Sequence, residues 1–288
     1  MVEVNNNLSH MQHNISIQEA SMAEVSFAAT TPVSVAKVGL KARDGEALAD
    51  YYKAVVGLQE IGRRPNVIVL GAGGDGFLEI EEVKSLRQDD PRSAGLFHTA
   101  FLWPKRADLA RWTQHAMDKK IQIDGASDHL VSEAIYLTDP EGNGIEIYAD
   151  RKPVAWKWDG SSIRMATERL NFQDLLTENG GDNSGWAGAP DGSMIGHVHL
   201  RVGNAEDAES WWHEEMAFDT VAHYGGQAVF LSTGGYHHHI GANVWHSKGA
   251  GKRDLDRTGL GWVEMKSKAG LAKTVSDPWG TEIRLVPA

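Results

Sequence analysis

Apolar and polar positions change period several times along this chain, and the changes recur in one order. Residues 35–40 alternate as a strand, and residues 45–58 carry Leu48, Tyr51, Tyr52, Val55 and Val56 at helical spacing, with Gly57 placed to end the helix. Residues 67–70 and 77–80 predict two further strands around a glycine-rich turn at 71–76. That turn, GAGGDG, joins two strands and opens no helix, so it reads as a hairpin and not as a nucleotide loop. A second cycle follows, with a strand at 96–102, a helix at 107–119 and a hairpin within 125–148. A third has a strand at 195–202, a helix at 204–216 and strands at 229–231 and around 237–244. A fourth opens at 261–265 and runs almost at once into 277–285, which echoes 139–147. The interval from Gly261 to Asp277 is less than half that from His98 to Asp139, so this cycle has no room for its helix. The expected fold class is α+β, built from repeated βαβββ modules.

The module boundaries divide the chain. Residues 1–32 are polar and aperiodic and are expected to be a flexible extension, with His10 and His13 solvated. Two modules occupy 33–150. A linker with Trp156, Trp158 and a short helix near 170–176 occupies 151–193, and the third and shortened fourth modules occupy 194–288.

Composition narrows the function. With 288 residues, 41% of them hydrophobic, the chain can bury a sizeable core in one large domain or two smaller ones. A net charge of -11 and the lack of any long basic run exclude the electrostatic footprint of a nucleic-acid binder. The absence of cysteine excludes disulfides, thiolate metal sites and cysteine nucleophiles, so any metal must be held by His and carboxylate. No apolar run approaches the roughly 18 residues of a membrane helix. No basic region followed by an apolar core stands at the amino terminus, and a cytoplasmic protein is expected.

Three residues stand where chemistry could be built. In the hairpin, alternation puts Ile145 and Ile147 on one face and Glu146 on the other; a wet edge strand or a paired carboxylate would each explain it. His98 opens the second cycle and His197 the third. His197 and His199 share one strand face, while Val198 and Leu200 share the other. The run His237-His238-His239 lies among strand formers, and alternation sends the middle imidazole opposite to its neighbours.

These motifs, GLFHTAFLWP (95–104), GASDHLVSEAIYLTDPEGNGIEIY (125–148), GHVHLRV (196–202) and GGYHHHIGANVW (234–245), resemble the vicinal-oxygen-chelate superfamily. That superfamily includes glyoxalase I, bleomycin-resistance proteins and type I extradiol dioxygenases, and the resemblance is greatest to catechol 2,3-dioxygenase-like proteins. It covers residues 33–288. It implies half-open mixed β-barrels with flanking helices, and a metal held by His98, Glu146 and His197. The ion would be Fe(II), with Mn, Zn and Ni as alternatives. The substrates would be a catechol-like aromatic diol and O2, and the ring would open beside the diol. The acid/base residue would be His238, within one residue either way; Tyr136 and His129 would bond the substrate hydroxyl and line the pocket. Phe101, Trp103 and Trp245 read as core. The rival activities are a Zn or Ni isomerase of glyoxalase type, for which His239 could serve as a fourth ligand, and a metal-free binding protein.

The departures matter as much. Lys37 and Gly261 fall where the first and fourth cycles would carry their opening His, and Arg284 falls where Glu146 would recur. Only modules two and three can supply the ligands, so they should face one barrel. They could do so within the chain or across a homo-oligomer.

Overall fold

The computed structural model describes residues 25–178 and 185–288. Module one comprises β1 (Val33–Ala42), the helix α2 (Gly45–Tyr51), which continues as a π-helical turn over Tyr52–Val56, and strands β2 (Gln59–Arg64), β3 (Val67–Ala72) and β4 (Asp75–Glu82). A short turn of helix, α1 (Phe27–Thr30), precedes it. The Asp44 side chain caps α2, and Gly57 ends the π-helical turn in the left-handed conformation at φ 85°, which glycine adopts without strain.

Module two comprises β5 (Gly95–Leu102), α3 (Arg106–Lys119), β6 (Gly125–Asp128), β7 (Ser132–Thr138) and β8 (Gly144–Asp150). The connecting segment holds β9 (Trp158–Asp159), β10 (Ser162–Ile163), β11 (Glu168–Arg169) and α4 (Phe172–Thr177). Module three comprises β12 (Met194–Arg201), α5 (Ala205–Met216), β13 (Asp219–Tyr224), β14 (Ala228–Ser232) and β15 (Ile240–Asn243). Module four keeps β16 (Gly259–Ser267), β17 (Lys273–Ser276) and β18 (Glu282–Pro287), with no helix between them. Among the described residues no helix is long and apolar enough to cross a membrane.

The modules pair one with four and two with three. A seven-stranded sheet runs β17-β18-β16-β1-β4-β3-β2, and a nine-stranded sheet runs β11-β6-β7-β8-β5-β12-β15-β14-β13. The join of modules two and three is the antiparallel pair β5 and β12 within one chain, so no second copy is needed to bring His98 and His197 together. The turn at Asp139 explains the echo at Asp277. Asp139 Oδ1 accepts from the backbone of Glu141 and Asn143, both at 2.9 Å, and Asp277 Oδ1 accepts from Trp279 at 3.0 Å and Thr281 at 2.7 Å. Module one clasps the first of these turns: Tyr52 donates to Asp139 Oδ2 at 3.0 Å, and the backbone of Arg43 donates to Glu141 at 2.8 Å.

Several expectations are corrected. Most of the extension, residues 1–24 with His10 and His13, lies outside the described residues. Phe27–Thr30, counted with it, form α1, where Ala28 is fully buried and Phe27 packs on Trp156. The segment 151–193 is more than a linker, because residues 163–167 form part of the cavity wall described below. His237 to His239 precede β15 instead of lying in it, since the ladder begins only at Ile240.

Two β-bulges at the central join re-aim the side chains that face the barrel. Gly196 is the extra residue on β12 between Ile195 and His197, and Phe97 is the extra residue on β5 between Leu96 and His98. Position 196 admits only glycine, because a Cβ there would stand 1.8 Å from the Tyr148 hydroxyl oxygen. Gly196→Ala is therefore expected to cost about 2 kcal/mol or more of stability, as overpacking of a closed core does. A urea-unfolding midpoint equal to wild type would contradict this.

The same bulge recurs at the other join, where Gly261 is the extra residue between Leu260 and Trp262. Its register makes Trp262, and not Gly261, the counterpart of His197. The Trp262 ring lies against Gly39, whose added Cβ would be 2.3 Å from it, and the Arg284 guanidinium stands 4.1 Å over the ring centroid. Lys37 faces Glu264 at 3.8 Å. An indole and two cations thus fill the barrel of modules one and four where ligands would have to converge.

Candidate active site

The nine-stranded sheet brings His98, Glu146 and His197 to one point. β5 and β8 run parallel with Ala100 opposite Glu146, while β5 and β12 run antiparallel with Ala100 opposite His197. The small Ala100 leaves room between them, and His98 reaches in from two residues earlier on the same strand. His98 Nε2 stands 2.9 Å, and His197 Nε2 3.2 Å, from Glu146 Oε2. One ligand atom from each residue lies within 4.8 Å of the others, and all three side chains are buried.

The donor set fits a cation. His98 Nε2 is buried without a hydrogen-bond partner, because its short contact to the carboxylate lies off the hydrogen-bonding direction. Burial alone would raise the Glu146 carboxyl, but His197 and His98 overcome it and hold the group well below the usual carboxylate range. Burial pushes His197 down to about 4, against the pull of Glu146. An ionised carboxylate beside a neutral imidazole is the state a divalent metal requires. Two imidazoles and one carboxylate suit Fe(II), Mn, Zn or Ni and leave coordination positions open.

The triad lines a cavity of about 820 Å³, within the usual range for a small-molecule site. Phe97, turned inward by its bulge, packs edge to face on Trp245 with ring centroids 5.1 Å apart, and Phe230 adds a third aromatic wall. Phe101 and Trp103 are core as expected, whereas Trp245 is 38% exposed and lines the cavity. His199 lies beside the triad with its ring 5.0 Å from that of His98, but it is not one of the three converging residues. The reason is Gly241, the counterpart of Glu146 in module three, against which the His199 ring is pressed; a Cβ there would be 2.8 Å from it.

Tyr136 stands directly across the sheet from Glu146. Its hydroxyl lies 2.5 Å from His129 Nε2, and His129 Nδ1 lies 2.7 Å from the Ala166 carbonyl. A carbonyl can only accept, so Nδ1 carries the His129 proton and Nε2 accepts from Tyr136. The phenol proton is thereby committed, and the Tyr136 oxygen offers the cavity its lone pairs. Burial and the Glu146 charge push the Tyr136 hydroxyl well above the usual phenol range.

The three consecutive histidines part company. His238 lines the cavity, with its ring centroid 4.2 Å from that of His197. His237 turns away to Asp150 at 2.8 Å. His239 is bonded on both ring nitrogens, at 3.1 Å to Ser232 and 3.1 Å to Thr31. Burial, with His197 and His237 alongside, pushes His238 well below the usual imidazole range. Residues 163–167, Phe97 and Trp245 are cavity residues that the sequence reading missed; the signal available for Phe97 was its place beside His98, but a bulge cannot be read from alternation.

A family model described as Glyoxalase/Bleomycin resistance protein/Dioxygenase superfamily matches residues 34–147. A catechol-2,3-dioxygenase of Bacillus subtilis (strain 168) is 37% identical over 235 residues, covering 80% of each chain. A biphenyl-2,3-diol 1,2-dioxygenase of Rhodococcus globerulus is 35% identical over 65 residues, covering 23% of this chain and 34% of that one. Among solved structures, glyoxalase I from Zea mays superposes with a TM-score of 0.53 at 13% identity over 91% of this chain and 95% of that one, a likeness of fold alone. With the family model and a 37% identical relative spanning four-fifths of it, the chain belongs to the glyoxalase/bleomycin resistance protein/dioxygenase superfamily.

Proposed function

We propose that this protein is a non-haem Fe(II) extradiol dioxygenase that opens a catechol-like ring with O2. The observation that carries the reading is the buried triad of His98, Glu146 and His197 in one cavity with a further imidazole, His238, whose ring lines the same cavity. His98, Glu146 and His197 would hold an Fe(II) ion, which would supply open positions for a vicinal diol and O2 and would favour loss of a diol proton. His238 takes that proton as general base and returns one as general acid near the attacked ring carbon. Tyr136, whose own proton goes to His129, accepts a hydrogen bond from a substrate hydroxyl and so orients the diol. Phe97, Phe230 and Trp245 bracket the ring and keep water from it.

The likeness to the Bacillus catechol-2,3-dioxygenase supports the reading. The isomerase alternative wants a fourth protein ligand, and His239 is committed to Ser232 and Thr31. Protein stripped of metal under anaerobic conditions and reloaded separately with Fe(II), Mn, Zn or Ni provides the test. O2 uptake with catechol is expected from the Fe(II) form and not from the Zn or Ni forms. Turnover of a glyoxalase substrate without O2 by the Zn or Ni form, and no O2 uptake by the Fe(II) form, would overturn it.

A further inference from the structure

Behind His238 runs a chain of hydrogen-bonded polar groups, from the buried His237 and Tyr236 to the half-buried Asp150, that the ring-opening steps leave unused. Asp150, at the end of β8, accepts from the Tyr236 hydroxyl at 3.0 Å and lies 2.8 Å from His237 Nε2. His237 Nδ1 in turn lies 2.9 Å from His238 Nδ1. What each atom can do settles who donates. A carboxylate only accepts, so the hydrogen in the contact to Asp150 sits on His237 Nε2. A neutral imidazole with its proton there has a bare Nδ1, which only accepts. The contact between the two histidines therefore needs its hydrogen on His238 Nδ1. The nitrogen of His238 left bare is Nε2, which has no hydrogen-bond partner among the described residues, on a ring that lines the cavity.

We propose that Asp150 and His237 are positioning residues that hold His238 in its Nδ1-protonated tautomer, so that Nε2 presents a lone pair to the substrate hydroxyl. This rests on the reading of His238 as the residue that takes the diol proton. The opposite tautomer would turn an N–H toward the cavity and could accept nothing there. Once the substrate O–H proton has moved to Nε2, the imidazolium donates through Nδ1 to His237, whose own N–H points at the Asp150 carboxylate. The charge is stabilised along that line until the proton leaves, as in other carboxylate-oriented histidines. The anchor is itself held: Tyr236 spends its proton on Asp150, so the Tyr148 hydroxyl, 2.8 Å away, donates to Tyr236, and Tyr148 packs under Gly196 beside His197.

The test reads the tautomer and the turnover together. In full-length, zinc-loaded protein labelled with nitrogen-15 at histidine, long-range proton–nitrogen NMR is expected to show His238 protonated at Nδ1 and bare at Nε2. His237→Leu removes the acceptor and is expected to shift that population toward Nε2–H. In the Fe(II) protein it should lower kcat about 30-fold while KM and metal content stay within about twofold. His237→Gln keeps a carbonyl that can accept from His238 Nδ1, and it is expected to restore the tautomer and bring kcat to within about fivefold of wild type. Asp150→Ala, which leaves His237 without its acceptor, should give mixed His238 tautomers even if the leucine variant does not fold. An Nε2-protonated His238 in the wild type, or equal losses in the leucine and glutamine variants with no change of tautomer, would overturn the proposal. The expected tautomers in a protein that takes up no O2 with catechol would instead support the relay and sink the dioxygenase reading.

Discussion

Glu146→Ala is expected to leave a folded protein holding less than about a tenth of the wild-type metal. On the proposed reading Glu146 would be the one anionic ligand of the triad, and without it two neutral imidazoles would have to compensate the desolvation of a divalent ion unaided. Even the outer partners of metal ligands cost 10–100-fold in affinity when removed, so loss of a ligand should weaken binding by more than about 100-fold. Folding should survive, because removing a buried carboxylate from the metal-free state also removes its desolvation cost. His98→Ala and His197→Ala are expected to lose metal alike. The check is metal analysis after anaerobic purification, with circular dichroism to confirm the fold. Full metal content in any two of the three variants would place the ion elsewhere.

His238→Ala carries the second large effect, a fall in kcat of about 100-fold or more with iron content and KM close to wild type. The triad would still hold the metal, the aromatic walls would still hold the ring, and only the group able to take and return a proton would be missing. His239→Ala separates this from a general disturbance of the segment. Its imidazole is spent on Ser232 and Thr31, so that variant should lose stability while keeping its turnover. Steady-state kinetics on the iron-loaded proteins decides the matter: undiminished turnover in His238→Ala would remove this residue from the chemistry.

The parts of this fold that repeat were legible from residues alone. His98 and His197 each open a cycle and Glu146 closes one, and the turn beginning Asp-Pro recurs because its aspartate caps the same backbone groups both times. The pairing of modules two and three followed from Lys37 and Arg284 standing where ligands would have to be. What was not legible has physical causes. A bulge adds a residue without changing the alternation on either side, so sequence alignment of the cycles sets Gly261 against His197 although the register gives that place to Trp262. Trp245 reads as core by composition, yet it forms the wall of a cavity whose other side comes from the segment at 163–167, more than 75 residues away in the chain. Strands of two residues such as β9 and β11 carry no periodicity to detect. The resemblance points to His238 within one residue either way, and the alternation that supports it belongs to a strand that does not begin until Ile240; its neighbours diverge because Asp150 draws one and Thr31 and Ser232 the other.

The measurement that bears most directly on the central claim is isotopic. Iron-loaded protein given catechol under 18O2 is expected to yield a yellow ring-opened product carrying two labelled oxygen atoms per molecule. A product with one labelled atom or none, or catechol recovered intact from a protein whose three ligands demonstrably hold Fe(II), would contradict the account.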